Sequence, residues 1–179
     1  MQTWIFQANP DRFDIDRFLD EGPDETLWLV RRHGDAVSKD VDPNRPLSET
    51  GRAQIRRVTE LLENHGHRPS HVCHSGKLRA TQTAEIVATS LAPGLECEEM
   101  AGLGPNDPPD ALIDKLSKQT EDMLLVSHMP LVGRLVNRLV GGAEDNVIVA
   151  FLPGSIACLE RDEDQCWVID WFLRPDIVA

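Results

Sequence analysis

The feature that most constrains the fold is an apolar run that ends abruptly in cationic residues. Leu27–Val30 is uninterrupted hydrophobic sequence, which predicts a strand buried on both faces of a parallel sheet. Arg31, Arg32, His33 and Gly34 follow directly. Ligands of open α/β sheets bind at the carboxyl ends of the strands, so Arg32 and His33 are predicted to face a ligand. Arg31 is interpreted as incidental to that site.

Two later strands are predicted to end in the same way. His71–Ser75 and Met123–Ser127 are predicted as short strands, the first followed by a helix over Lys77–Leu91 and the second by His128. Because helices separate these strands, we expect them to run parallel to the first strand. Their carboxyl ends would then meet at one edge of the sheet.

The side chains gathered at this edge suit a phosphoryl group. The guanidinium groups of Arg32 and Arg79 can donate charge-assisted hydrogen bonds to phosphoryl oxygens, while His33 and His128 offer nitrogens that can lie in line with phosphorus. Lys77 and Arg79 lie in the first turn of a predicted helix, where positive charge is unfavourable unless an anion binds. No Walker motif, G-x-G-x-x-G fingerprint or carboxylate cage for magnesium accompanies them. The site is therefore predicted to need no metal and no other cofactor.

The remaining periodicity completes an α/β domain. A helix is predicted over Glu49–Asn64, capped by Ser48 and ended by Gly66. A mostly looped segment from 93 to 109 precedes a short helix over Asp110–Ser117, and a later helix has Pro130 in its first position. The last predicted element is a hairpin of strands over Ser155–Glu160 and Gln165–Phe172. The fold class expected is a three-layer α/β/α sandwich around a mostly parallel central sheet with an antiparallel edge pair.

Charge limits the possible partners. The net charge is −12 and the isoelectric point is near 4.8, which argues against broad binding to nucleic acid or to an anionic membrane. Seven acidic residues and two arginines lie in the first 26 residues. We interpret residues 1–26 as an extension of unknown role ahead of a single domain over residues 27–179.

The sequence also bears on the compartment. No stretch approaches the ~18 apolar residues that a membrane span needs, and no signal-peptide pattern is present at the N-terminus. The four cysteines show no C-x-x-C spacing, so reduced thiols and a cytoplasmic location are expected. His65, His67, His71, His74 and Cys73 lie close together in sequence but match no standard zinc spacing, so no metal site is predicted.

Four motifs together indicate a family. They are Val30–Ala36, Arg45–Gly51, Ser75–Thr83 and Val126–Gly133, in that order. In these motifs the chain resembles the histidine phosphatase superfamily, and most of all its small SixA-type phosphohistidine phosphatases. The likeness extends over roughly residues 27–172.

The resemblance implies a role for each residue of the edge. His33 would be the nucleophile that becomes phosphorylated, Arg32 and Arg79 would bind the phosphoryl oxygens, and His128 would hydrogen bond to the transferring group. Further candidates for substrate binding at the same junctions are Gly34, Ser75 and Lys77.

The identity of the leaving group is less constrained. Larger relatives use an acidic side chain to protonate an oxygen leaving group, and neither Glu98 nor Glu99 can be assigned that role from sequence. A phosphohistidine needs little acid catalysis, because its imidazole can depart as a neutral molecule. The leading hypothesis is therefore a metal-independent phosphatase acting on a phosphohistidine-bearing protein of the phosphorelay or phosphotransfer type, through phospho-His33.

Two alternatives remain open from sequence. One is a phosphomonoesterase or mutase-like enzyme that acts on a small phosphorylated metabolite with the same residues. The other is a non-catalytic module that docks phosphorylated partners, or that reads a ligand through an N-terminal segment resembling the start of EVE-type, PUA-like domains. The chain is too short to hold the cap that encloses small metabolites in larger relatives, which favours an open pocket and a protein substrate.

Overall fold

The computed structural model describes residues 28–142, 147–161 and 166–178. In chain order, their elements are β1 (Trp28–Arg32), α1 (Glu49–Asn64), β2 (His71–His74), α2 (Leu78–Leu91), β3 (Glu98–Glu99), α3 (Pro109–Leu116), β4 (Met123–Ser127), α4 (Leu131–Gly141), β5 (Ile156–Arg161) and β6 (Trp167–Leu173). Residues 1–26, interpreted as an extension, lie outside the described residues, and so do residues 162–165 within the predicted hairpin.

The six strands form one mixed sheet in the order β3-β2-β4-β1-β5-β6. Strands β1, β2, β3 and β4 are mutually parallel, and β5 is antiparallel to both β1 and β6. The predicted central sheet with its antiparallel edge pair is therefore confirmed.

Side chains along a buried strand point alternately to the two faces of the sheet, which divides the core into two layers. Leu124 of β4 packs with apolar residues of α1 and α2 on one face of the sheet. Its neighbour Leu125 points the other way, into the cluster formed with α3 and α4. Because both faces are covered by helices, a continuous hydrophobic run in β4 is what the architecture requires. The predicted three-layer α/β/α sandwich is confirmed.

Local predictions succeed where capping or apolar signals are strong. Helix α1 has the predicted bounds, and Ser48 Oγ accepts a hydrogen bond from Gly51 N at 3.0 Å as its N-cap. Strand β3, by contrast, lies within the segment predicted to be loop. It consists only of Glu98 and Glu99, which are exposed and lack a hydrophobic pattern, so sequence periodicity could not reveal it.

Two helix starts differ from the predictions. Helix α2 begins at Leu78 with Lys77 as its N-cap, and no side chain caps it. Ser75 therefore does not cap this helix, because its hydroxyl lies against His128 instead. Helix α4 begins at Leu131, and Pro130 occupies the N-cap rather than the first helical position.

Arg31 is the unexpected residue of the core. Its register partners Val126 and Ile156 belong to the layer that packs on α1 and α2, so its side chain enters that layer. It is 0% exposed, and none of its three guanidinium nitrogens has a hydrogen bond partner among the described residues. Burial lowers the pKa of Arg31 to about 9. The interpretation of Arg31 as incidental misses this burial of an unpaired cation.

The helices were also compared with the length of a membrane span. Across residues 28–142, 147–161 and 166–178, no helix is both long and apolar enough to cross a bilayer.

Candidate active site

The three predicted junctions meet at one edge of the sheet. Strands β1, β2 and β4 are adjacent and parallel, so their carboxyl ends lie side by side. The backbone N–H of His33 donates to Ser127 O at 3.0 Å, which joins the end of β1 to the end of β4. The structure therefore brings together the side chains that the sequence predicted at this edge.

The His33 imidazole is held in one tautomer. Its Nδ1–H donates to Gly34 O at 2.7 Å, because a carbonyl oxygen can only accept. The opposite nitrogen, Nε2, accepts from Arg79 Nε at 3.1 Å. His33 is 8% exposed. Its Nε2 lone pair is therefore directed to the Arg79 guanidinium, a group whose donors suit an oxyanion.

His128 lies beside this imidazole. The two ring centroids are 4.8 Å apart, with an angle of 55° between the ring planes. His128 Nε2 lies 2.5 Å from Ser75 Oγ, while its Nδ1 is buried with no hydrogen bond partner in the described part of the chain. Two imidazoles at this spacing can contact the same phosphoryl group from different sides.

Cations surround the two imidazoles. Arg32 Nη1 donates to Phe151 O at 2.8 Å, and its buried Nε has no partner within the described ranges, so it can donate to an oxyanion. The positive charges of Arg79, Arg32 and Arg45 all act on His33. A dense local positive field therefore lies within an acidic protein.

Arg45 and Thr83 are site residues that sequence reasoning missed. Arg45 adopts a left-handed backbone conformation with φ of 51°, and its Nε donates to Val37 O at 3.3 Å. Thr83 Oγ1 accepts from Gly34 N at 3.2 Å and donates to Arg79 O at 2.7 Å. Both residues lie inside motifs quoted above, which was the only signal available for them.

The three further candidates occupy different positions. Gly34 is buried, with its N–H bonded to Thr83 and its carbonyl to His33, so it orients the imidazole. Ser75 contacts His128. Lys77 is exposed at the start of α2, and its charge acts on His128.

Burial keeps both imidazoles neutral. Desolvation, together with the charges of Arg79, Arg32 and Arg45, lowers the pKa of His33 to about 4, although the Gly34 hydrogen bond opposes this. Desolvation, His33 and the surrounding cations lower the pKa of His128 to about 3. Both rings are therefore neutral near pH 7, and His33 Nε2 carries a lone pair rather than a proton.

These shifts predict a pH-dependent stability. An unfolded histidine has a pKa of about 6.5, so between about pH 6.5 and pH 4 the unfolded chain binds more protons at His33 than the folded chain. The free energy of unfolding should therefore fall as pH falls through this window. Urea unfolding gives the free energy of unfolding at pH 7 and at pH 5. The difference between these two values should be smaller by about 1–2 kcal/mol in His33→Asn than in the wild type. An unchanged difference would contradict the assignment of a depressed pKa to His33.

The other histidines are dispersed rather than clustered. The buried His67 packs on Trp171, with ring centroids 5.1 Å apart. His71 Nε2 lies 2.7 Å from Glu121 Oε2, and His74 Nδ1 accepts from Gly76 N. Within the described ranges, no group of three or more His, Cys, Asp or Glu side chains could hold a metal ion.

The two candidate acids lie at the end of the sheet. Glu98 and Glu99 are exposed in β3, and the Glu99 carboxylate lies directly against the Cα of Gly76. Neither carboxylate hydrogen bonds to Arg32, His33, Arg79 or His128 within the described part of the chain.

Comparison with known proteins decides the family. The sequence model of the histidine phosphatase superfamily (branch 1) matches residues 27–104. The chain is also 30% identical to the phosphohistidine phosphatase SixA of Escherichia coli K12 over 152 residues, which cover 82% of this chain and 92% of that protein. The chain belongs to the histidine phosphatase superfamily. The resemblance indicated by the four motifs is thus confirmed, and this histidine phosphatase is a hydrolase of phosphorylated substrates.

Solved structures of other proteins agree with the fold. The protein histidine phosphatase SixA in complex with tungstate is 28% identical, has a TM-score of 0.76, and is similar over 86% of this chain and 100% of that chain. A phosphoserine phosphatase mutant from Entamoeba histolytica has a TM-score of 0.66 at 12% identity, over 86% of this chain and 100% of that chain. The second likeness concerns the fold alone.

Proposed function

We propose that this histidine phosphatase removes the phosphoryl group from a phosphohistidine on a protein, through a phospho-His33 intermediate and without a metal ion. The proposed substrate is a phosphorelay or phosphotransfer protein of the cytoplasm. Residues 27–179 form the proposed catalytic domain, and residues 1–26 are an extension.

The first step transfers the phosphoryl group to the enzyme. His33 Nε2 attacks phosphorus in line, the new N–P bond forms, and the P–N bond to the substrate imidazole breaks. That imidazole carries a proton on its other nitrogen, so it leaves as a neutral ring with the electron pair of the broken bond. Arg32, Arg79 and His128 stabilise the charge on the three equatorial oxygens.

The second step regenerates the enzyme. A water molecule attacks the phosphorus of phospho-His33, the N–P bond breaks, and inorganic phosphate leaves. The hydrogen bond from His33 Nδ1 to Gly34 O holds the ring in place through both steps. The guanidinium groups supply the positive charge that a metal ion supplies in other phosphoryl-transfer sites, which supports metal independence.

One observation carries the choice of substrate. The side chains that contact or face the nucleophile are imidazoles and guanidinium groups, and no carboxylate among the described residues is bonded to them. An oxygen leaving group needs a proton donor, whereas a neutral imidazole does not. The similarity to the phosphohistidine phosphatase SixA of Escherichia coli, and to the solved structure of the protein histidine phosphatase SixA, points in the same direction.

The phosphomonoesterase is kept as a second candidate because of Glu99. Its carboxylate lies against Gly76, on the loop that carries Ser75 and Lys77. A small phosphate ester bound in the pocket could receive a proton from that side.

Rates on two substrates separate these candidates. We expect the wild type to release phosphate from a phosphohistidine protein with a higher kcat/KM than from p-nitrophenyl phosphate or a sugar phosphate, and EDTA should leave the rate unchanged. Glu99→Gln should also leave the rate on phosphohistidine unchanged. Preferred hydrolysis of the ester, with loss of that activity in Glu99→Gln, would support the phosphomonoesterase instead.

A further inference from the structure

We infer that His74 is a positioning residue, which fixes the loop Ser75–Lys77 and the start of α2 against the two catalytic imidazoles. His74 ends β2, immediately before this loop. It is 6% exposed and lies outside the set of side chains that contact His33 or His128. The proposed reaction does not otherwise use it.

The anchoring contacts converge on one nitrogen. His74 Nδ1 accepts a hydrogen bond from Gly76 N at 3.0 Å and lies 3.3 Å from Thr81 Oγ1. Gly76 has φ of +75°, and the carboxylate of Glu99 occupies the space that a Cβ there would need. One imidazole therefore joins the turn at Gly76 to the first turns of α2.

The loop held in this way carries the groups that act in the pocket. Ser75 Oγ lies 2.5 Å from His128 Nε2, and Arg79 Nε donates to His33 Nε2 at 3.1 Å. The Lys77 charge also acts on His128. Because Ser75 and Lys77 flank Gly76 directly, a rotation at Gly76 would move both side chains relative to the imidazoles. Displacements of about 1 Å in such sites can lower rates by about 10²-fold.

This role requires an unprotonated Nδ1. The neutral ring must carry its single proton on Nε2, since a protonated Nδ1 cannot accept from Gly76. Burial opposes protonation of His74, while Glu85 of α2 and Glu99 of β3 favour it. His74 also lines a cavity of about 590 Å³ together with Glu96 and Cys97. The net effect is a lowered pKa, so the acceptor is present at neutral pH.

A pair of amide variants tests the inference. Asn places its amide oxygen close to the position of Nδ1, whereas Gln carries the same amide one carbon further. We expect His74→Gln to lose about 10- to 100-fold in kcat/KM on a small phosphoramidate, with weaker competitive inhibition by inorganic phosphate. His74→Asn should retain most of both properties. Equal effects of the two variants would overturn the inference.

A second measurement does not depend on the variants folding. Nitrogen-15 NMR of the wild type at pH 7 should show a neutral His74 with the proton on Nε2. A proton on Nδ1, or a charged ring, would contradict the inference. The inference rests on the proposed reaction at His33 but not on the identity of the substrate. A wild-type protein that is inactive on all phosphorylated substrates would refute the proposed function. The tautomer of His74 would still test whether its Nδ1 accepts the hydrogen bond from Gly76.

Discussion

Replacement of His33 by Ala is expected to lower kcat for phosphate release by about four orders of magnitude or more. Loss of a nucleophile typically has an effect of this size, because the remaining groups can stabilise charge but cannot form the covalent intermediate. His33 Nε2 carries no proton and accepts a hydrogen bond from the Arg79 guanidinium, the group that we propose binds the phosphoryl oxygens. Phosphate release from a phosphohistidine protein by purified wild type and variant measures the effect.

A matched variant guards against a general effect of removing an imidazole. His71→Ala removes a partly exposed ring that contacts Glu121, at the opposite end of β2 from the pocket loop. It should retain wild-type kcat, and circular dichroism should show that both variants are folded. If His33→Ala kept more than about one per cent of wild-type kcat, covalent catalysis at His33 would be contradicted.

Replacement of Arg31 by Met is expected to raise the free energy of unfolding by about 1–4 kcal/mol. The Arg31 guanidinium is removed from water, and in the described residues nothing accepts its hydrogen bonds. Methionine is unbranched and adaptable, so it can fill a similar volume among the apolar side chains of α1 and α2 without a charge to desolvate. Urea unfolding at pH 7 measures the change.

The control for Arg31 is an arginine on the surface. Arg57 is exposed on α1, and Arg57→Met should change the stability by no more than about 0.5 kcal/mol. Arg31→Met should leave kcat/KM close to the wild-type value, since no hydrogen bond joins the Arg31 guanidinium to a pocket residue among the described residues. A destabilised Arg31→Met would show that its charge is needed in the folded state and would refute our account of this residue.

The fold was largely predictable because its central elements have strong local signals. Strand β4 is buried along its whole length, and a buried strand leaves a clear hydrophobic pattern, as the apolar run before Arg31 also does. The rule that parallel strands end at one edge then predicts that Arg32, His33 and His128 lie together.

The remaining parts depend on tertiary contacts that leave no local pattern. Strand β3 exists because two exposed glutamates pair with β2, and nothing in its composition indicates this. The contact of Ser75 with His128 and the anchoring of Gly76 by His74 join residues whose relation appears only in the folded chain. Arg45 acts on the pocket at a distance through its charge, which sequence spacing cannot reveal.

The central claim is that the phosphoryl group passes through His33. Its most direct test is a single-turnover reaction with excess wild-type enzyme, quenched in alkali on the millisecond scale and mapped by mass spectrometry. The account predicts that one phosphoryl group appears on His33 and disappears as inorganic phosphate is released. A phosphoryl group on His128 or another side chain, or phosphate release with no labelled enzyme at any time, would contradict it.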